Sequence, residues 1–121
     1  MPTKTARSST PDIMKTDLRV VLMTAPTREL ARHLATTAVG EKLAACVKLV
    51  PGVVSLYEWE GELTEAAEVM LVFKTTQARF PELRDRMLAL HPHAVPEMVS
   101  LPADDGNVDY LDWVATATSE G

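Results

Sequence analysis

Between Leu18 and Leu101 the hydrophobic periodicity switches repeatedly between that of a strand and that of a helix. This alternation constrains the chain more than any single motif, because each switch marks a new element and the order of elements limits the fold. Leu18-Arg-Val-Val-Leu-Met23 is short and rich in branched apolar residues, as a strand is. Thr24-Ala-Pro26-Thr27 then breaks the chain and offers a helix start. Leu30, Leu34 and Ala38 recur at helical spacing, with Arg28, Glu29 and Arg32 off the stripe, and Gly40 weakens the end of that helix.

A second strand is expected over Ala44–Val50 and continues over Val53–Glu60 after an interruption at Pro51-Gly52. Such a pair is tolerated within a strand at a bulge or a sheet edge. In the second half Val53, Ser55, Tyr57 and Trp59 share one face. Gly61 turns the chain, and the continuous apolar run Val69–Phe73 reads as a third strand. Thr75 and Thr76 are candidate caps for the helix that follows. Phe80, Leu83, Met87 and Leu90 form its stripe, Pro81 fits only its first turn, and His91-Pro92 ends it. Met98–Leu101 is a short fourth strand, and Asn107 can cap a last helix with Tyr110, Trp113, Val114 and Ala117 inward.

The order β-α-β-β-α-β with a C-terminal helix is that of the ferredoxin-like α+β fold, an antiparallel sheet with two helices on one face. The other face is expected to lack a helix and to hold too many apolar groups to stay wet, so a homo-oligomer is expected. At 121 residues the chain suits one domain over 18–121. Residues 1–17, rich in Ser, Thr and Pro, bury too little to offset their ordering entropy and read as a flexible tail. The net charge of −5 gives no electrostatic basis for nucleic-acid binding. No apolar run approaches the roughly 20 residues of a membrane-spanning helix. The single cysteine, Cys46, cannot pair internally, and no apolar run follows Lys4 and Arg7 as in a secretory signal, so a cytoplasmic, reducing setting is expected.

Thr24-Ala-Pro26, Glu41-Lys-Leu-Ala-Ala-Cys46, Pro51-Gly52, Ser55-Leu-Tyr57 and Trp59-Glu-Gly61 resemble the CutA family of divalent-cation-tolerance proteins. Glu68-Val69, Lys74-Thr75-Thr76, His91-Pro92, Pro96-Glu97, Leu101-Pro102, Gly106, Tyr110-Leu111 and Trp113 continue the resemblance over about residues 18–118. It implies a ferredoxin-like subunit in a tight homotrimer, similar to the PII-like signalling trimers, with a role in tolerance to divalent metals and copper binding in some members. No enzymatic activity is implied. The trimer number comes from the resemblance alone. In copper-binding members a Cys ends the first strand and a His precedes the His-Pro pair. Those positions here are Met23 and Leu90, so of that set His91 alone is kept, and His93 stands where the family usually has tyrosine.

Two residues are therefore candidate ligands for copper or another divalent metal: the imidazole of His91 and the soft thioether of Met23. Each has a plainer reading, which weighs more: His91 closes a helix C-terminus, and Met23 packs in the core. Cys46 reads as a small buried hydrophobe. Glu58, Glu60, Glu62, Glu65 and Glu68 read as a solvated edge that discourages strand aggregation. Asp104-Asp105 reads as a turn, and Trp59 and Trp113 as aromatic anchors, with a ligand shelf as the alternative. No nucleophile-elbow, Walker, dinucleotide or His-Glu-x-x-His motif occurs. An alternative function is a PII-like scaffold holding a small molecule or a protein partner in clefts between subunits.

Overall fold

A computed structural model describes residues 17–119. The tail expected over residues 1–17 lies outside the described residues except for Asp17. The elements run β1 (Leu18–Ala25), α1 (Arg28–Gly40), β2 (Cys46–Trp59), β3 (Glu62–Thr76), α2 (Phe80–Leu90), β4 (Met98–Pro102) and α3 (Val108–Ala117). The strands form one antiparallel sheet in the order β2-β3-β1-β4. This is the ferredoxin-like order expected from the periodicity.

Helix α1 starts where Thr27 Oγ1 accepts the Leu30 amide at 3.1 Å, which satisfies one of the free amides of the first turn. Its buried side chains, Ala31, Leu34 and Ala38, follow the expected stripe. On α2, Leu83 and Met87 are fully buried, with Phe80 and Leu90 packed at the flanks of the same core. These residues meet Val21, Met23 and Ala25 of β1 and Val69, Leu71 and Phe73 of β3, which makes one continuous apolar core between sheet and helices.

Four local expectations are corrected. Strand β1 runs on through Thr24 and Ala25, because both residues pair with Met70 and Val69; pairing overrides the break signal. Strand β3 begins at Glu62 rather than Val69, since its first half pairs with β2 along a long hairpin. Thr75 and Thr76 end β3 and do not cap α2, whose N-cap is Arg79 without a side-chain acceptor. Thr75 Oγ1 instead donates to the buried Leu43 carbonyl at 2.6 Å, and Thr76 Oγ1 accepts the Arg79 amide at 3.3 Å.

The fourth correction concerns the sheet face opposite α1 and α2, which is not free of helix. The pairing register puts Leu18, Val20, Cys46 and Lys74 on that face. Helix α3 lies over its end: Val114, Tyr110, Trp113 and Ala117 cluster with Leu18 and Ala45. Asn107 caps α3, its Oδ1 accepting the Asp109 amide at 3.1 Å. Among the described residues, no layer covers the rest of the face, which includes Leu22, Val50, Val99 and Leu101.

Pro51-Gly52 forms the expected bulge, with the register shifting between Val50 and Val53. The extra residue keeps Val53, Ser55, Tyr57 and Trp59 on the same face as Cys46, Lys48 and Val50. Gly52 takes φ +77°, which a side chain would strain. At the hairpin tip Glu60 and Gly61 have φ of 51° and 83°, the twist that a two-residue connection requires. The hairpin reaches past the helices, so Leu56, Trp59 and Leu63 are 63, 64 and 80 % exposed.

Candidate functional site

His91 is the C-cap of α2, and its amide donates to the Met87 carbonyl at 3.0 Å. Pro92 follows, and a residue before proline avoids helical backbone, so the chain leaves the helix extended at His91. The ring turns inward and is 7 % exposed. Its Nε2 lies 2.9 Å from the Thr24 carbonyl, and its Nδ1 lies 3.1 Å from the His93 amide. A carbonyl oxygen only accepts and an amide N–H only donates. Nε2 therefore carries the proton and Nδ1 the lone pair, which assigns the neutral Nε2–H form from its partners. The two rings of His91 and His93 meet edge-on at 4.8 Å and 60°.

Met23 is fully buried among Leu34, Leu83 and Met87, and its register partners are Leu71 and Met98. The backbone links the two sequence candidates: His91 is bonded to the residue that follows Met23. Both ring nitrogens already have partners, so His91 ligates a metal only by releasing one of them. Leu90 packs against the core. Among the described residues no group of three His, Cys, Asp or Glu side chains is placed to hold a metal ion.

Cys46 is half-buried, and its Sγ lies 3.8 Å from the Tyr110 hydroxyl. Lys74, opposite Cys46 in the register, places Nζ 5.7 Å from the centre of the Tyr110 ring. Burial, followed by the neighbouring Cys46, pushes the Tyr110 phenol up to about 12. Sequence inspection around Cys46 finds only Lys48 as a cationic neighbour; Lys74 arrives through strand pairing. Tyr110 also stacks on Trp113 at 5.8 Å, so Trp113 is an anchor of α3. Asp105 Oδ1 accepts the Gly106 amide at 2.9 Å, as a turn residue does.

The acidic run is spread over both strands of the hairpin and does not converge on a point. Glu62 pairs with Trp59, Glu65 with Leu56 and Glu68 with Val53. Glu68 belongs to a feature that the sequence did not disclose, an open cleft of about 800 Å³ between the hairpin and the segment after His91. Tyr57, Trp59 and Glu68 line one side, His93 and Glu97 the other, and Thr24 is also among its lining residues. The shelf reading of Trp59 needed the position of residues 93–97, which no local pattern supplies.

Residues 19–117 match the family model described as CutA1 divalent ion tolerance protein. The divalent-cation tolerance protein CutA of Thermus thermophilus is 52 % identical over 99 residues, covering 82 % of this chain and 96 % of that protein. The human protein CutA is 40 % identical over 96 residues, 79 % of this chain; the chain spans 54 % of that longer relative. The solved structure of the Thermus thermophilus protein superposes with a TM-score of 0.82 at 50 % identity, covering 84 % of this chain and 99 % of that one. The CutA1 structure from Oryza sativa gives a TM-score of 0.84 at 40 % identity, covering 88 % and 97 %.

Proposed function

The chain belongs to the CutA1 divalent ion tolerance family, and we propose that it works as a non-catalytic homotrimer in the response to divalent metal ions. The observation that carries the assembly is the sheet face opposite α1 and α2. Val99 and Leu101 of β4 are 48 and 44 % exposed at one edge of that face, Val50, Tyr57 and Trp59 of β2 are exposed at the other, and the half-buried Leu22, Met70 and Val72 lie between them. Contiguous apolar surface of this kind costs free energy in water and is removed by association. A second copy supplies the same surface, as closed symmetric assemblies do. The trimer number follows the family resemblance. The free Cys46 thiol supports a reducing, cytoplasmic location.

The proposed metal contact is copper or another divalent ion at His91 with Met23. Its support is chemical: an imidazole and a thioether suit copper, and both sit where β1 ends against the C-terminus of α2. Such binding must turn His91 away from the Thr24 carbonyl or the His93 amide. Calorimetry with copper on the native protein and on His91→Ala tests it. A clear loss of affinity in the variant is expected, and equal affinity rejects the pair.

The cleft beside Trp59 favours a second reading, a PII-like scaffold that holds a small molecule, because it offers both aromatic and charged lining. A thermal-shift screen separates the readings: metals alone raise the melting temperature under the first, small organic molecules under the second.

A further inference from the structure

We propose that the cavity between the end of β4 and the first turn of α2 binds the carboxylate of a small organic anion with an apolar body. The inference goes beyond both readings above and uses neither the metal pair nor the cleft beside Trp59. The cavity holds about 550 Å³, in the range of small-molecule sites, and is lined by Arg19, Gln77, Phe80, Pro81, Ser100 and Pro102. It lies on the other side of the sheet from the face assigned to contacts between copies. Ser100 pairs with Val21 and Pro102 with Arg19, and residues directly opposite in a ladder share a face. Val21 belongs to the core beneath α1 and α2, so Arg19, Ser100 and Pro102 stand on the helix side.

Arg19 supplies the charge. Among the described residues its guanidinium has no ion pair or hydrogen bond, whereas Arg79 is paired with Glu82 and Arg84 with Asp85, each at 3.0 Å. No Asp or Glu lines the cavity to neutralise it. Ser100 supplies a donor: its Oγ is buried and, among the described residues, has no hydrogen-bond partner. Such a hydroxyl costs free energy until an acceptor reaches it. Helix α2 starts without a side-chain cap, and its first two residues line the cavity, so its positive end bears on the same space. The three features come from β1, β4 and α2, and each favours a negatively charged acceptor. One planar guanidinium matches one carboxylate in charge and in geometry. Phe80, Pro81 and Pro102 give the apolar wall that a ring or hydrocarbon chain behind the carboxylate would cover.

The test titrates the full chain with sodium 4-fluorobenzoate and follows the width of the probe's fluorine resonance, with the uncharged 4-fluorobenzamide as control. A saturable broadening with a midpoint on the order of 1–10 mM is expected for the benzoate, and one at least about five-fold weaker for the benzamide. Arg19→Gln weakens the benzoate by a factor of about five or more, and Arg19→Lys, which keeps the charge but not the fork, recovers part of that loss. Ser100→Ala weakens it by a factor of about two to ten while the unfolding midpoint in denaturant stays the same or rises, because the variant removes an unsatisfied buried group. Circular dichroism checks that each variant keeps the fold. No saturable broadening, an equal response to the benzamide, or an unchanged benzoate midpoint in either Arg19→Gln or Ser100→Ala overturns the proposal. The Arg19 variants separate this cavity from the cleft beside Trp59, and the molecular mass and copper isotherm of the same sample report on the assembly and metal proposals.

Discussion

The imidazole of His91 donates from Nε2 to the carbonyl of Thr24 at 2.9 Å, across 67 residues of chain. One short polar contact thereby ties the C-terminal end of α2 to the end of β1 and fixes where the segment toward Glu97 starts. Because that bond is buried, removing the ring takes this donor from the Thr24 carbonyl, and it also takes the acceptor from the part-buried His93 amide.

His91→Ala is expected to destabilise the protein by about 1–3 kcal/mol, the usual cost of unsatisfied buried polar groups. Denaturant unfolding of the two proteins measures it. An unchanged midpoint and slope would contradict the bond's role. Asparagine at the same position is expected to recover part of the loss, since its amide can reach one of the two partners.

Thr75→Val tests a second buried contact. The hydroxyl donates to the Leu43 carbonyl at 2.6 Å, and Thr75 is fully buried at the end of β3. Valine keeps the shape and the β-branch but leaves the carbonyl without its donor. A loss of about 1–3 kcal/mol is expected by denaturant unfolding. A loss close to zero would show that the carbonyl finds another donor.

Tyr110 provides a pH test. Burial and then Cys46 raise its phenol to about 12, above the ordinary tyrosine value of 10.0. The folded state therefore holds the proton more tightly than the unfolded state. The stabilisation is complete below about pH 10 and is lost as pH rises through about 12. Absorbance titration of the phenolate should show one tyrosine ionising near the upper value, and Tyr110→Phe should remove that step. Replacing Cys46 with alanine should lower it.

Most of the fold was legible because the periodicities were clean. Leu83 and Met87 recur at helical spacing and are buried as that spacing implies, and Pro51-Gly52 marks a real bulge. What sequence could not show depends on pairing between distant segments. Thr24 and Ala25 look like a break until Met70 and Val69 pair with them, and Thr75 looks like a cap until Leu43 faces it. The long first half of β3 was hidden by Glu62, Glu65 and Glu68, whose spacing of three breaks the strand alternation and whose charge suits an exposed hairpin and not a buried strand. The metal candidates were visible as residue types. The burial of Met23 was the weightier reading from sequence already, whereas the tautomer of His91 follows only from its partners in the fold, and the company that Cys46 keeps with Lys74 and Tyr110 only from tertiary pairing. The cleft beside Trp59 was out of reach for the same reason, since Glu97 stands 38 positions further along the chain.

Charge placed on the uncovered sheet face should oppose assembly without touching the core. Val99→Asp with Leu101→Asp puts two carboxylates on β4 positions that are already about half exposed, so the subunit itself loses little. Burying those charges between copies is costly. Sedimentation should show a lower mass for the variant than for the native protein; equal masses would place the contact elsewhere.

Light scattering on the native protein at micromolar concentration reads whether the apolar sheet face is covered by further copies. A subunit of 13.3 kDa should give a particle of three times that mass, unchanged on dilution across the micromolar range. A particle of 13.3 kDa would mean that the apolar sheet face stays in water, and would contradict both the assembly and the role drawn from it.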